Sequence, residues 1–83
     1  MKVSVRYFAS IREAIGQGSE AVETSVVTLG ALRDELIARG GAHASSLARG
    51  RAVRMALNQT LSDESATLAD GAEVAFFPPV TGG

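Results

Sequence analysis

With 83 residues, the chain has room for one domain around one modest core, and too little material to enclose a deep active-site cleft of its own. Its 46% hydrophobic and 20% charged residues are the proportions of a globular fold, and a net charge of −1 gives no general attraction to nucleic acid. Zero cysteines exclude disulfides, thiolate catalysis and Cys-based metal sites.

The start "MKVSVRYF" lacks the basic, apolar and small-residue order of a secretion signal, and no apolar run approaches the ~20 residues of a membrane span. Both point to a cytoplasmic protein without a membrane partner. Val3, Val5 and Tyr7 alternate with Lys2, Ser4 and Arg6, the period-two signature of a half-buried strand. Phe8 breaks the pattern, falling on the face that is otherwise polar. It either turns into the core at the strand end or stands as an exposed apolar spot. Ser10 and Glu13 have capping-box spacing, and Ile11, Ala14 and Ile15 supply the stripe of a short helix stopped by Gly16. "SEAVETSVV" reads as a second strand. Thr28 caps the main helix, where Leu29, Leu32, Leu36 and Ile37 share a face before Gly40-Gly41.

"GGAHASSLARG" reads as a loop with one helical turn around Ala44 to Leu47. In "RAVRMALN" Val53, Met55 and Leu57 alternate with Arg54 and alanines, and Asn58-Gln59 turns the chain into a brief strand at Thr60-Leu61. Asp70-Gly71 is a strong turn signal ahead of a strand from Glu73 to Phe77, which Pro78 and Pro79 stop because neither has an N–H to give. By parity with Val74, Phe76 is core and Phe77 faces away. With one substantial helix, both faces of a doubly wound sheet cannot be covered. The compact solution is an α+β fold, a mixed sheet wrapping the Thr28–Arg39 helix. Residues 1–79 form this domain and 80–83 a flexible Gly-Gly tail.

This order, with "VRYFASIRE" at Val5 to Glu13, "NQT" at Asn58 to Thr60 and "LADGAEVAFFPPVTGG" from Leu68 to Gly83, resembles the β-grasp (ubiquitin-like) sulfur carriers, and among them the small subunits of molybdopterin synthases. The closing "DGAEVAFFPPVTGG" is the specific part. A Gly-Gly end alone is shared with ubiquitin-like modifiers and thiamin-pathway carriers. The short helix at Ser10 to Gly16, where ubiquitin has a tight hairpin, favours the molybdopterin proteins, while "SSLARGRAVRMALN" departs from their pattern.

The resemblance implies that an E1-like adenylyltransferase uses ATP and Mg²⁺ to adenylate the Gly83 carboxylate, and that a sulfur donor protein converts the acyl-adenylate to a thiocarboxylate. The sulfur then passes to a pterin precursor held by a large subunit, in a heterotetramer. The chain binds no metal or cofactor itself. It is not catalytic alone, but is the sulfur-donating subunit of a sulfurtransferase. The chemistry is coherent. A chain without cysteine must carry sulfur on another group, and the C-terminal carboxylate becomes a usable electrophile once adenylated. Gly82 and Gly83 have no Cβ to obstruct a narrow channel. Pro78 and Pro79 stiffen the exit, and the four residues beyond them reach about 13 Å when extended at ~3.3 Å each. Gly83 is thus the reacting residue, with Gly82 beside it. Phe8, Leu61, Phe77, Pro78, Pro79, Val80 and Thr81 form the candidate partner-binding set.

Blander readings stand beside these. A second helix could cover Phe77. His43, the one histidine, reads as a surface residue. Arg49, Arg51 and Arg54 read as a solvated strand edge rather than a phosphate site. Asp63 and Glu64 lack the pocket that a catalytic carboxylate pair needs, and no glycine-rich phosphate loop is present. The rival functions are a carrier for another pathway, a ubiquitin-like modifier that ends in isopeptide bonds, and a plain interaction domain.

Overall fold

The computed structural model describes residues 1–79; the positions assigned above to Val80, Thr81, Gly82 and Gly83 lie outside the described residues. The elements are β1 (Lys2–Tyr7), α1 (Ala9–Ile15), β2 (Ser19–Glu23), α2 (Leu29–Ile37), α3 (Gly41–Leu47), β3 (Arg54–Leu57), β4 (Thr60–Ser62) and β5 (Glu73–Phe77). They build one five-stranded sheet of order β2-β1-β5-β3-β4. The central pair β1 and β5 runs parallel, and every other pairing is antiparallel. This is the mixed sheet expected from the sequence.

The alternation in β1 is realised residue by residue: Val3, Val5 and Tyr7 are buried while Lys2, Ser4 and Arg6 are exposed. On the same side, Val74, Phe76 and Met55 join Leu29, Leu32 and Leu36 of α2, Leu47 of α3 and Ile11 of α1 in a single cluster. All three helices therefore bury their apolar residues against one face of the sheet. Thr28 caps α2 as its sequence position suggests, accepting the Ala31 N–H at 3.2 Å. No helix among the described residues is long and apolar enough to cross a membrane.

Four local expectations need correction. Ser10 does not cap α1. Phe8 is the N-cap, without a side-chain bond, because its N–H still pairs with the Phe76 carbonyl at 3.2 Å. The strand thus persists one residue further, Ala9 makes the bend with φ +51°, and Ser10 falls inside the helix. Ala14 is exposed, so Ile11 carries the buried stripe with Ile15 packed partly behind it. The second strand stops at Glu23 rather than Val27. Its partner β1 has run out by then, and the Thr24 hydroxyl turns the chain by accepting the Val26 N–H and donating to Glu35. Finally, 41–47 is a full helix rather than a loop with one turn. Gly40 at φ +78° and Gly41 at φ +56° reverse the chain after α2 without steric cost, and Leu47 anchors the new helix at 0% exposure.

Candidate functional site

The sheet face opposite the helices is where the chain runs out through Pro78 and Pro79. No helix among the described residues covers it, so the reading in which a second helix hides Phe77 is overturned. Pairing register gives its layout. Arg6 lies beside Ala75, Ala75 beside Ala56, and Ala56 beside Leu61. In the next row Arg54 lies beside Phe77, and Phe8 continues β1 alongside the end of β5.

Ala56 and Ala75 are too small to fill this face, so they form the floor of an open groove of about 810 Å³. Phe8, Phe77, Pro78 and Pro79 make its apolar walls, and Ala9, Gln59, Arg6 and Glu73 border it. Phe8 is 40% exposed, which settles the two alternatives for it: it stands outside the core. The Arg6 guanidinium lies 5.5 Å from the centre of its ring, a cation–π contact that fixes the ring's side. Arg6 also sits 3.9 Å from Glu73, a solvent-exposed pair of little energetic weight. Leu61, at 65% exposure, is on the same face one strand further out and lines the adjoining depression with Arg54. The described members of the candidate partner-binding set therefore share one face. The two floor alanines were not singled out from the sequence, although small residues at the outward positions of two paired strands are the signal of a groove.

The "NQT" segment has a structural explanation. Asn58 and Gln59 take φ of +50° and +68°, the left-handed pair of a two-residue hairpin. Asn58 also clamps the start of β5, donating its N–H to the Glu73 carbonyl at 2.8 Å and accepting the Glu73 N–H at 3.0 Å on its side-chain oxygen. The hairpin thereby holds β3 and β4 in register with the strand that leads to the exit.

Arg33, Arg49, Asp63 and Glu64 are committed to the scaffold. Arg33, only 4% exposed, donates to the carbonyls of Leu47 and Ala48 at 2.8 Å each and so ties α2 to the end of α3; nothing in its helical spacing marked it. Arg49 is exposed but lies on no strand, between α3 and β3, where it binds Asp34, Glu64 and the Gly30 carbonyl. Arg51 and Arg54 are exposed as expected. Asp63 and Glu64 serve separate partners, Asp63 receiving Ser65 and Glu64 receiving the two arginines, so they do not form a pair.

His43 also departs from its expected surface position. It is on α3, edge-on to the Tyr7 ring at 5.9 Å, and its Nε2 is 2.9 Å from Glu20. Glu20 accepts from Tyr7 at 2.7 Å and from Arg39 at 2.7 Å as well. Burial alone would raise the Glu20 carboxyl, but the bonds from Arg39, His43 and Tyr7 outweigh it and hold the group at about 2, against an ordinary 4.5. Burial and the bond to Glu20 push the Tyr7 phenol up. A depressed carboxyl contributes stability above its unfolded pKa, which is lost as pH falls through the folded one. Glu20→Gln is therefore expected to cost on the order of 2 kcal/mol near neutrality, and to remove part of the stability change between pH 4.5 and 2. Denaturant midpoints of both proteins across that window check this; parallel pH curves would contradict it.

Comparison with known proteins places the geometry in context. A curated molybdopterin synthase sulfur carrier subunit from Escherichia coli is 42% identical over 81 residues, covering 98% of this chain and 99% of that protein. Its counterpart from Mycobacterium tuberculosis is 40% identical over 85 residues, covering 100% and 99%. Among solved structures, the complex of subunits 1 and 2 of molybdopterin-converting factor from Helicobacter pylori contains a chain that superposes with a TM-score of 0.71 at 28% identity, covering both chains fully. SAMP1 from Haloferax volcanii gives a TM-score of 0.78 at 25% identity, again with full coverage of both. The fold is thus the ubiquitin-like β-grasp. The ThiS family model matches residues 5–83, and the chain belongs to the ThiS family.

Proposed function

We propose that this chain is the sulfur carrier subunit of a molybdopterin synthase. The supporting observation is the apolar groove of Phe8, Phe77, Pro78 and Pro79 on the uncovered sheet face, placed where the chain leaves toward Gly82 and Gly83. Relatives at 40–42% identity carry this function over nearly the whole chain. The large subunit docks on this face, as a second subunit accompanies the similar chain in the Helicobacter pylori complex, and receives residues 80–83 in its own pocket.

The division of labour follows from what the chain offers. It has no cysteine, and no cluster of metal-binding side chains among its described residues. The group available for activation is the Gly83 carboxylate. An adenylating partner binds ATP and Mg²⁺ and forms the acyl-adenylate. Attack by hydrosulfide at the acyl carbon forms the C–S bond, expels AMP and leaves the thiocarboxylate, which the large subunit uses on the pterin precursor.

Mixing the chain with its adenylating enzyme, ATP and Mg²⁺ is expected to release pyrophosphate in proportion to the intact Gly83 termini. Adding sulfide then exchanges one oxygen for one sulfur, a mass shift confined to the C-terminal peptide. Pyrophosphate released by the chain alone, or a mass shift elsewhere, would overturn the proposal.

A further inference from the structure

On the helical side of the sheet, opposite the groove, α1 and α3 leave a narrow cleft of about 100 Å³ between them. Ser45 and Ser46 from the last turn of α3, Arg51 just beyond it, and Ser10, Ile11 and Ala14 of α1 line it. A water's share of liquid volume is ~30 Å³, and pockets for whole small-molecule ligands run to ~300–1,000 Å³. The cleft therefore has room for one small group.

Its lining differs from that of the other basic depressions. Arg6, Lys2, Arg12 and Arg54 each share a depression with a carboxylate, from Glu73, Asp70, Glu13 and Asp63 respectively. Arg51 shares its cleft with three serines and no carboxylate, and its guanidinium has no partner among the described residues. Ser46 is only 8% exposed, and its hydroxyl has no hydrogen-bond partner among those residues either. Because no sealed side-chain oxygen is left without a bond, the Ser46 hydroxyl opens into the cleft. A hydroxyl so buried is costly unless something takes its bond. Ser45 makes one long bond, 3.3 Å to the Ala42 carbonyl, and Ser10 makes none among the described residues. Every polar side chain here can donate.

The end of α3 would ordinarily oppose an anion, since its last carbonyls form the negative pole of the helix. Arg33 cancels this by donating to the Leu47 and Ala48 carbonyls at 2.8 Å each, and to the Arg51 carbonyl at 3.3 Å. The Arg51 N–H in turn bonds the Ala48 carbonyl at 2.9 Å, so the backbone carrying Arg51 is held by the scaffold. The run Arg49, Arg51, Arg54 makes no phosphate site by itself, because only Arg51 lines this cleft.

We propose that the cleft between α1 and α3 binds a phosphoryl group, with Arg51 supplying the positive charge and the hydroxyls of Ser46, Ser45 and Ser10 donating to its oxygens. A phosphoryl group brings three strong acceptor oxygens and a charge of about −1.5 to −2 near neutrality, which suits a set made only of donors. Guanidinium geometry favours it further, by pairing two oxygens at once. The volume takes the phosphoryl group alone, so anything esterified to it lies in solvent. The site is separate from the sulfur chemistry and does not depend on it.

The test titrates sodium phosphate or glycerol 3-phosphate into the ¹⁵N-labelled full chain at constant ionic strength, with sodium chloride making up the difference. Saturable shifts are expected for the amides of Ser10, Ser45 and Ser46 and for the Arg51 side-chain N–H, and none when chloride alone is varied. Arg51→Gln is expected to weaken binding by about tenfold or more, the worth of a charged hydrogen bond, and Ser46→Ala by a smaller factor. Neither variant removes a bond within the protein, so neither should melt earlier, and each tests the site without the other. Binding of glycerol 3-phosphate at least as tight as that of phosphate assigns the cleft to a phosphate monoester, whereas binding of phosphate alone assigns it to the free ion; both results uphold the proposal. Shifts that follow ionic strength, fail to saturate or persist undiminished in Arg51→Gln and Ser46→Ala overturn it.

Discussion

Deleting Gly83 is expected to abolish sulfur transfer while leaving the domain folded. Every residue of the described core lies between Val3 and Phe76, so the deletion subtracts nothing from it, and the thermal midpoint should match that of the full chain. On the proposed reading, what is lost is the acceptor of activation: the shortened chain ends at Gly82, one residue short of the position that an adenylating pocket would reach. Near-attack geometry is lost when reacting atoms are misplaced by even an ångström, which costs about a hundredfold in rate, and a missing residue displaces the carboxylate by ~3.3 Å. Gly82→Val tests the same proposal without shortening the chain, since a β-branched side chain is bulky where passage must be narrow. Thiocarboxylate formation followed by intact mass, with a thermal melt alongside, reads both variants. Full sulfur loading of the truncated protein would end the carrier reading.

The second large effect separates two adjacent phenylalanines. Phe76→Asp is expected to unfold the domain. Phe76 is 0% exposed and stacks on Tyr7 with ring centres 6.3 Å apart. Truncating such a residue costs about 3–5 kcal/mol, and an unpaired buried carboxylate adds further. A small domain has about 5–15 kcal/mol in total, and one of this length lies toward the lower end. Phe77→Asp faces the groove instead. It is expected to move the thermal midpoint little while weakening the complex with the large subunit by about 2–4 kcal/mol, the scale of an aromatic anchor, or thirtyfold and more in Kd. Titration calorimetry with the large subunit and a melt of the free chain check both halves. Equal loss of folding in the two variants would place both side chains in the core and the docking face elsewhere.

What could be read from the sequence follows the range of the forces involved. β1, β5 and the main helix were legible because their burial is periodic: Val3, Val5 and Tyr7 recur every second residue, and Leu29, Leu32 and Leu36 at helical spacing. Thr28 and the Asn58-Gln59 turn were legible because caps and hairpins are local chemistry. The Ser10 error came from a local motif that lost to a long-range bond, the Phe8 N–H to Phe76. The helix at 41–47 was missed because its small residues have no strong periodicity, and its stability comes from contacts with α1, α2 and Arg33 that no window of sequence contains. The same holds for His43, whose partners Glu20 and Tyr7 are distant in the chain. On the candidate site, Phe8, Phe77 and the prolines stood out as apolar residues on an outward face, whereas Ala56 and Ala75 become meaningful only once β3 and β5 are paired.

The parallel pairing of β1 and β5 has a mechanical consequence. Tension applied between the amino-terminal strand and the residues beyond Pro79 runs along both strands in opposite senses, so it loads their connecting hydrogen bonds in shear. Those bonds, from Ser4 opposite Glu73 to Tyr7 opposite Phe76, share the force together instead of parting one after another as in a peeled hairpin. On the proposed reading, in which the end is drawn repeatedly out of other proteins, the domain is pulled along a direction that loads this parallel pair in shear.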